Sequence, residues 1–237
     1  VIGEALAQDL AQKIIFFDLP PKIHLTEEDV SARYDVSRSP VREAFRSLEA
    51  EGLVQRLARR GVRVGDIGHK DAADVYSCRI AIESLAAGEA AQYATTAHIG
   101  AMRGLLSQMN IAKDFGQIRR FFNTNVAITR IFHQAARNNT LERIASSVEK
   151  QALRYRYFAY TRNHTMLEAT FIGHNEVVEA VARGEPDTAK NAATEAMLRS
   201  RHIILEAIDD YLADENASLA DDKILTLNVL PDEPNYE

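Results

Sequence analysis

From Asp71 to about Leu212 the apolar residues of this chain recur at helical spacing, and no alternating run there is long enough to make a strand. The stretch is not one helix, because TTAH (95–98), RNN (137–139) and RGEP (183–186) interrupt it. The segments between predict helices over about 70–94, 97–111, 115–136, 140–161, 165–183 and 186–212. Amphipathic helices joined by such short breaks pack as an antiparallel bundle around their own core.

The residues before the bundle are punctuated differently. Leu6, Leu10, Ile14 and Phe17 form one stripe of a first helix from about Ile2 to Phe17, which LPPKIHL must break. Thr26 opens a second helix, TEEDVSARY, as a hydroxyl N-cap with Asp29 three residues on, like a capping box with Asp for Glu. Ser37 caps a third helix that Gly52 ends after Ala50. LVQRLA and GVRVG then alternate around an Arg-Arg-Gly turn, which reads as a hairpin. Three helices and a hairpin make a winged helix-turn-helix.

The expected fold is mainly α, with an N-terminal winged helix-turn-helix over 1–66 and a C-terminal all-α antiparallel bundle over 71–212. GDIGHKD (65–71) supplies the linker, taken as 67–70. Residues 213–237 read as an acidic, Pro-punctuated tail, in which ILTLNVL could dock as an extended segment.

Composition narrows the function. The chain has 237 residues, 46% of them hydrophobic, enough to bury two cores. A lone Cys78 excludes an intrachain disulfide and suits a reducing compartment. On its predicted helix it reads as a small packing residue. No apolar run approaches the ~20 residues of a membrane span, and the amphipathic start carries Glu4 and Asp9, unlike a signal peptide. The expected location is cytoplasmic, and the missing initial Met is consistent with a native start upstream of Val1.

Net charge is −6, which alone argues against a nucleic-acid partner. Yet residues 1–65 hold ten Lys/Arg against ten Asp/Glu, so the whole negative excess lies after them. Within 53–65, Arg56, Arg59, Arg60 and Arg63 occur with no acid, a local basic strip.

The stretch SRSPVREAF (37–45) joins these threads. In a first helical turn the N–H groups have no intrahelical partner, so Pro40 costs little there and the free donors favour a phosphate. At about 100° per residue, Val41, Ala44, Phe45 and Leu48 share an apolar face while Arg38, Arg42 and Arg46 climb an adjacent one, with Ser39 beside them. Such a helix suits the major groove, where Arg bonds guanine bidentately.

LTEEDVSARYDVSRSPVREAFRSLEAEGLVQRLARRGVRV (25–64) resembles the DNA-binding domain of the GntR family of bacterial transcription regulators. The resemblance implies that Arg38, Ser39 and Arg42 contact bases or phosphates. It also implies that Gly61, at the wing tip, enters the minor groove with Arg60 nearby. Many relatives carry Arg where this chain has Glu28, so that contact is expected to be lost or rebuilt.

The bundle resembles the FCD effector domain found in the same family, through RIAIESLAAGEAA (79–91), NVAITRIFHQAARNNTL (125–141) and GHNEVVEAVARGEPDTA (173–189). Many FCD domains hold a divalent metal through one Asp and three His, but the matching positions here are Asn125, Thr129, His174 and Ala196. Sliding the register to His133 puts Thr129 in the Asp position and breaks the later match. No bound metal or other cofactor is expected.

An acidic effector must then be held otherwise. Arg79 is placed against the pocket by the resemblance and suits an anion, or it pairs internally with Glu83 four residues on. Asn125, Thr129 and His174 would add neutral hydrogen bonds, or merely fill a polar core. The aromatics of RYRYFAY (154–160) read as core, and His164 and His202 as surface or core histidines.

The expectation is a ligand-responsive regulator, a repressor more often than an activator. As a homodimer it would bind a double-stranded DNA operator and answer a small organic acid. The alternative is an enzyme or metal-binding helical domain tethered to DNA by the winged helix. No nucleophile elbow, phosphate loop or activated carboxylate pair supports catalysis. A DNA-coating protein is disfavoured by the acidic C-terminal part, which would repel the backbone.

Overall fold

The computed structural model describes residues 2–58 and 61–227, with side chains described as far as residue 214. The N-terminal head comprises α1 (Ile2–Ile15), β1 (His24–Leu25), α2 (Glu27–Tyr34), α3 (Arg38–Ala50), β2 (Val54–Leu57) and β3 (Gly61–Val64). The bundle comprises α4 (His69–Tyr93), α5 (Thr96–Asp114), α6 (Ile118–Ala135), α7 (Asn139–Arg162), α8 (Thr165–Ala182) and α9 (Pro186–Leu227). No helix among the described residues is long and apolar enough to cross a membrane.

The head is built on the stripe of α3. Val41, Ala44, Phe45 and Leu48 are buried against Leu6, Leu10 and Ile14 of α1, and against Leu53, Val54, Val62 and Val64 of the wing. A large apolar side chain contributes about 1.5–3 kcal/mol when fully buried. The cap of α2 forms half of the expected box: Thr26 Oγ1 accepts from the Asp29 N–H at 3.0 Å. The Asp29 carboxylate takes the Thr26 hydroxyl at 2.6 Å instead of a backbone N–H. Ser37 occupies the N-cap of α3 without a side-chain cap bond.

Several expectations need correction. α1 stops at Ile15, because Phe17 turns into the left-handed region (φ 62°) and both Phe16 and Phe17 leave the head to pack on the bundle. The wing is three-stranded in the order β1-β3-β2, His24 facing Arg63 and Leu25 facing Val62. Gly61 opens β3 opposite Leu57, directly after the turn of the wing, of which residues 59 and 60 lie outside the described residues. A Cβ on Gly61 would sit 2.2 Å from the Leu25 carbonyl oxygen, and its φ is +87°, so β1 dictates the glycine. The predicted linker is shortened by α4, which begins at His69, and Ile67 is buried in the bundle core. Cys78 is exposed, because the neighbouring Arg79 takes the inward face of α4. The last helix does not end near Leu212 but runs to Leu227, so the first part of the predicted tail is helical. Residues 228–237, with the end of ILTLNVL, lie outside the described residues.

Head and bundle meet along α7. Arg154, buried, donates to the Gly65 carbonyl at 2.9 Å and to that of Asp66. Lys150 pairs with Glu51 at 2.5 Å, while Tyr155 donates to Asp71 within the bundle. Phe16 meets Tyr157 edge-on at 4.8 Å between ring centroids, with the Arg119 guanidinium 4.2 Å from its own ring centre.

Candidate nucleic-acid interface and effector cavity

The first turn of α3 carries no acid, and on its polar side Arg38, Ser39, Arg42 and Arg46 are all exposed. They stand away from the buried Val41–Phe45 stripe, as helical spacing requires. With His24, Arg56 and Gly61, Arg38 and Arg42 line one cleft between α3 and the wing. The expected ridge of arginines therefore exists and opens toward the wing. Arg60 lies outside the described residues.

Carboxylates from α2 share this face. Glu27 Oε2 accepts from Arg42 Nε at 2.8 Å, and Glu28 Oε2 lies 3.5 Å from the Arg38 guanidinium. Glu27 thereby fixes the direction of Arg42 before any DNA arrives. No local pattern signals this pairing, because the partners lie on different helices.

In the bundle, charged residues that ordinarily face water are buried. Arg79 donates to Glu83 Oε1 at 2.9 Å and to the Tyr76 hydroxyl at 3.3 Å. Glu83 Oε2 also meets His133 Nε2 at 2.9 Å. Arg156 donates to Glu149 at 3.2 Å and to Asn125 Oδ1 at 2.9 Å, while the Asn125 amide donates to Tyr160 at 2.7 Å. Burial alone would push the Glu83 carboxyl up, but Arg79 and His133 hold it down at about 2. Burial opposes charge on His133 too, yet its hydrogen bond to Glu83 raises its pKa above the usual imidazole value. Two donors of the cluster remain over: the Nε groups of Arg79 and Arg156 are buried without an acceptor among the described residues.

Arg79, Thr129 and His174 are brought together around one cavity of about 30 Å³, lined also by Glu83, Phe132, Val177, Ala196 and Met197. That is room for one or two waters. Thr129 spends its hydroxyl on the Asn125 carbonyl at 3.1 Å. Asn125 does not line the cavity; it is committed to Tyr160 and Arg156 behind it. The Nδ1 of His174 donates to the Thr170 carbonyl at 3.0 Å, which leaves Nε2 as the acceptor of the neutral ring. Burial pushes its pKa down to about 4, so the ring is uncharged at neutral pH. Arg79 pairs with Glu83, as one of its two readings expected, and also lines the cavity. Sequence reasoning anticipated the Arg79–Glu83 pair from its i, i+4 spacing but missed His133, Glu149 and Arg156 as members of this cluster.

Comparison with known proteins completes the assignment. The profile of bacterial regulatory proteins of the gntR family matches residues 2–64, and that of the FCD domain matches 74–199. The chain belongs to the GntR family and carries an FCD domain. The GntR chain is 28% identical over 198 residues to the HTH-type transcriptional repressor RspR of Escherichia coli K12, covering 82% of this chain and 85% of that one. It is also 34% identical over 82 residues to the gluconate operon transcriptional repressor of Bacillus subtilis, a match limited to 35% of this chain and 33% of that one. The fold matches that of E. coli McbR/YncC, with a TM-score of 0.76 over 87% of this chain and 98% of that one, at 16% identity. This protein is a DNA-binding transcriptional regulator and not an enzyme.

The metal that many FCD domains hold does not fit this one. Of the four matching positions, Asn125 and Thr129 are turned to Tyr160, Arg156 and a backbone carbonyl, Ala196 has no donor, and only His174 keeps a lone pair on the cavity. Among the described residues no three of His, Cys, Asp and Glu converge as metal ligands. His133, the alternative ligand, is taken by Glu83.

Proposed function

We propose that this GntR regulator is a cytoplasmic, homodimeric repressor whose bundle binds a small organic acid, without a metal, and so changes its affinity for a double-stranded operator. Arg38, Ser39, Arg42 and Arg46 contact the major groove and its phosphates, and Gly61 with Arg60 lies against the minor groove. The acid is held by Arg79 and His174, with Thr129 beside them and Asn125 supporting Arg156 from behind.

The observation that carries this reading is that Arg79, whose buried Nε has no acceptor among the described residues, lines a cavity together with Glu83, Thr129 and a neutral His174. A carboxylate would satisfy that donor. The present cavity is too small for one with a carbon skeleton, so side chains such as Met197 must move on binding. That movement gives bound and free forms different shapes, which is what a ligand needs in order to shift an equilibrium. α7 carries Arg156 in the charge cluster and Arg154 on the head, two residues apart, which supports a mechanical connection between the two.

Two measurements test the proposal. In a thermal-shift screen of small carboxylic acids, a compound present at about a hundred times its Kd should stabilise the chain by about 2.7 kcal/mol. If only uncharged compounds raise the melting temperature, Arg79 is a structural ion pair and the effector class is wrong. For the head, Arg42→Ala should cost about 1–3 kcal/mol of operator binding, with a shallower salt dependence. Unchanged affinity in an anisotropy titration would remove Arg42 from the interface.

A further inference from the structure

Three acids, Glu27, Glu28 and Asp29, occupy the first turn of α2, and Glu27 and Glu28 line the cleft with Arg38 and Arg42. Two have evident work within the head. Asp29 is bound to the Thr26 cap, and Glu27 orients Arg42 at 2.8 Å and is only 27% exposed. Glu28 is different. Its side chain is 82% exposed, and its one ion-pair distance among the described residues is 3.5 Å, to an Arg38 that is itself 60% exposed. A pair so long and so wet contributes little to the fold.

An exposed carboxylate beside the groove-entering helix repels phosphate unless the DNA offers it a donor. The major-groove edges offer two kinds, the exocyclic amino groups of cytosine and adenine. On adenine the amino group stands next to the N7 acceptor, which a carboxylate also meets unfavourably. On cytosine no acceptor of that base stands beside N4 in the groove, and its partner guanine presents O6 and N7 to an arginine. A carboxylate and a guanidinium 3.5 Å apart, lining one cleft, match that donor and those acceptors in both charge and kind.

We propose that Glu28 is a specificity-determining residue that accepts from the N4 amino group of a cytosine in each half-site, next to the guanine bonded by Arg38. The inference rests on the reading that α3 enters the major groove. Glu28 lowers non-specific affinity through repulsion and returns the lost binding only where cytosine is present, so it discriminates by both routes.

The test is selection of duplexes from a random pool by the wild-type chain, Glu28→Gln and Glu28→Ala, with anisotropy titrations on single-base-pair variants of the wild-type operator. The wild type should select a cytosine at one position of each half-site and lose about tenfold or more in affinity when it is replaced. Glu28→Ala should accept all four bases there while binding other duplexes more tightly. Glu28→Gln should relax the position or move it toward adenine, whose N6 and N7 suit an amide. If both variants select the same bases as the wild type and merely bind tighter, Glu28 acts on phosphates alone and the proposal is overturned. A wild-type operator with no such cytosine overturns it equally. Failure of the wild type to enrich any sequence would instead sink the groove reading beneath it.

Discussion

Arg79→Met will destabilise the protein by about 3–5 kcal/mol, because it leaves the Glu83 carboxylate buried beside His133 without its guanidinium. The loss does not measure the strength of the ion pair, since both charges were removed from water to make it. The double variant Arg79→Met/Glu83→Leu should therefore lie closer to the wild type than Arg79→Met alone, although His133 then loses its acceptor. Urea unfolding of the two single variants and the double variant measures this directly. Additive losses would mean that the pair is not coupled across the core.

Acid will unfold the protein through His174. Its folded pKa of about 4 lies below the ordinary imidazole value of 6.5, so the fold binds fewer protons than the unfolded chain between those limits. The stability it contributes is complete above pH 6.5 and falls as pH drops toward 4, by about 3 kcal/mol in all. His133 works in the opposite sense. Its raised pKa contributes stability below pH 6.5 that disappears as pH rises through its folded value. The acid limb therefore belongs to His174 first, with Glu83 joining as pH falls below 4.5 toward about 2. Unfolding free energies between about pH 4.5 and 7 should rise steeply for the wild type and less so for His174→Gln. Equal slopes would mean that the ring is not buried neutral.

The head was legible in the sequence because its signals are local. Thr26, Ser37, Pro40 and Gly52 mark helix ends within a few residues of what they control, and the Val41–Leu48 stripe needs only periodicity. β1 was not legible, since two residues carry no alternation and His24–Leu25 become a strand only by pairing with Arg63 and Val62. The charge cluster was hidden for a related reason. A helix bearing Arg79 beside Cys78 reads with cysteine inward, and the order reverses once Glu83 and His133 supply partners from within. Of the four residues predicted to hold the effector, three share the cavity; Asn125 was drawn behind it by Tyr160 and Arg156, contacts distant in sequence. The end of α9 was misjudged on composition: the acids after Leu212 suggested a solvated tail, yet the alanines and leucines among them are strong helix formers.

The grip of Arg154 on the carbonyls of Gly65 and Asp66 begins one residue after the last wing strand ends at Val64. The seam between the two halves therefore has no slack to absorb a displacement. The strand that faces Leu25 is thereby tied to α7 on one side and, through their shared core, to the helix of the arginine ridge on the other. Such a molecule behaves less like a bead on a string than like a key whose bow and blade are cut from one piece of metal.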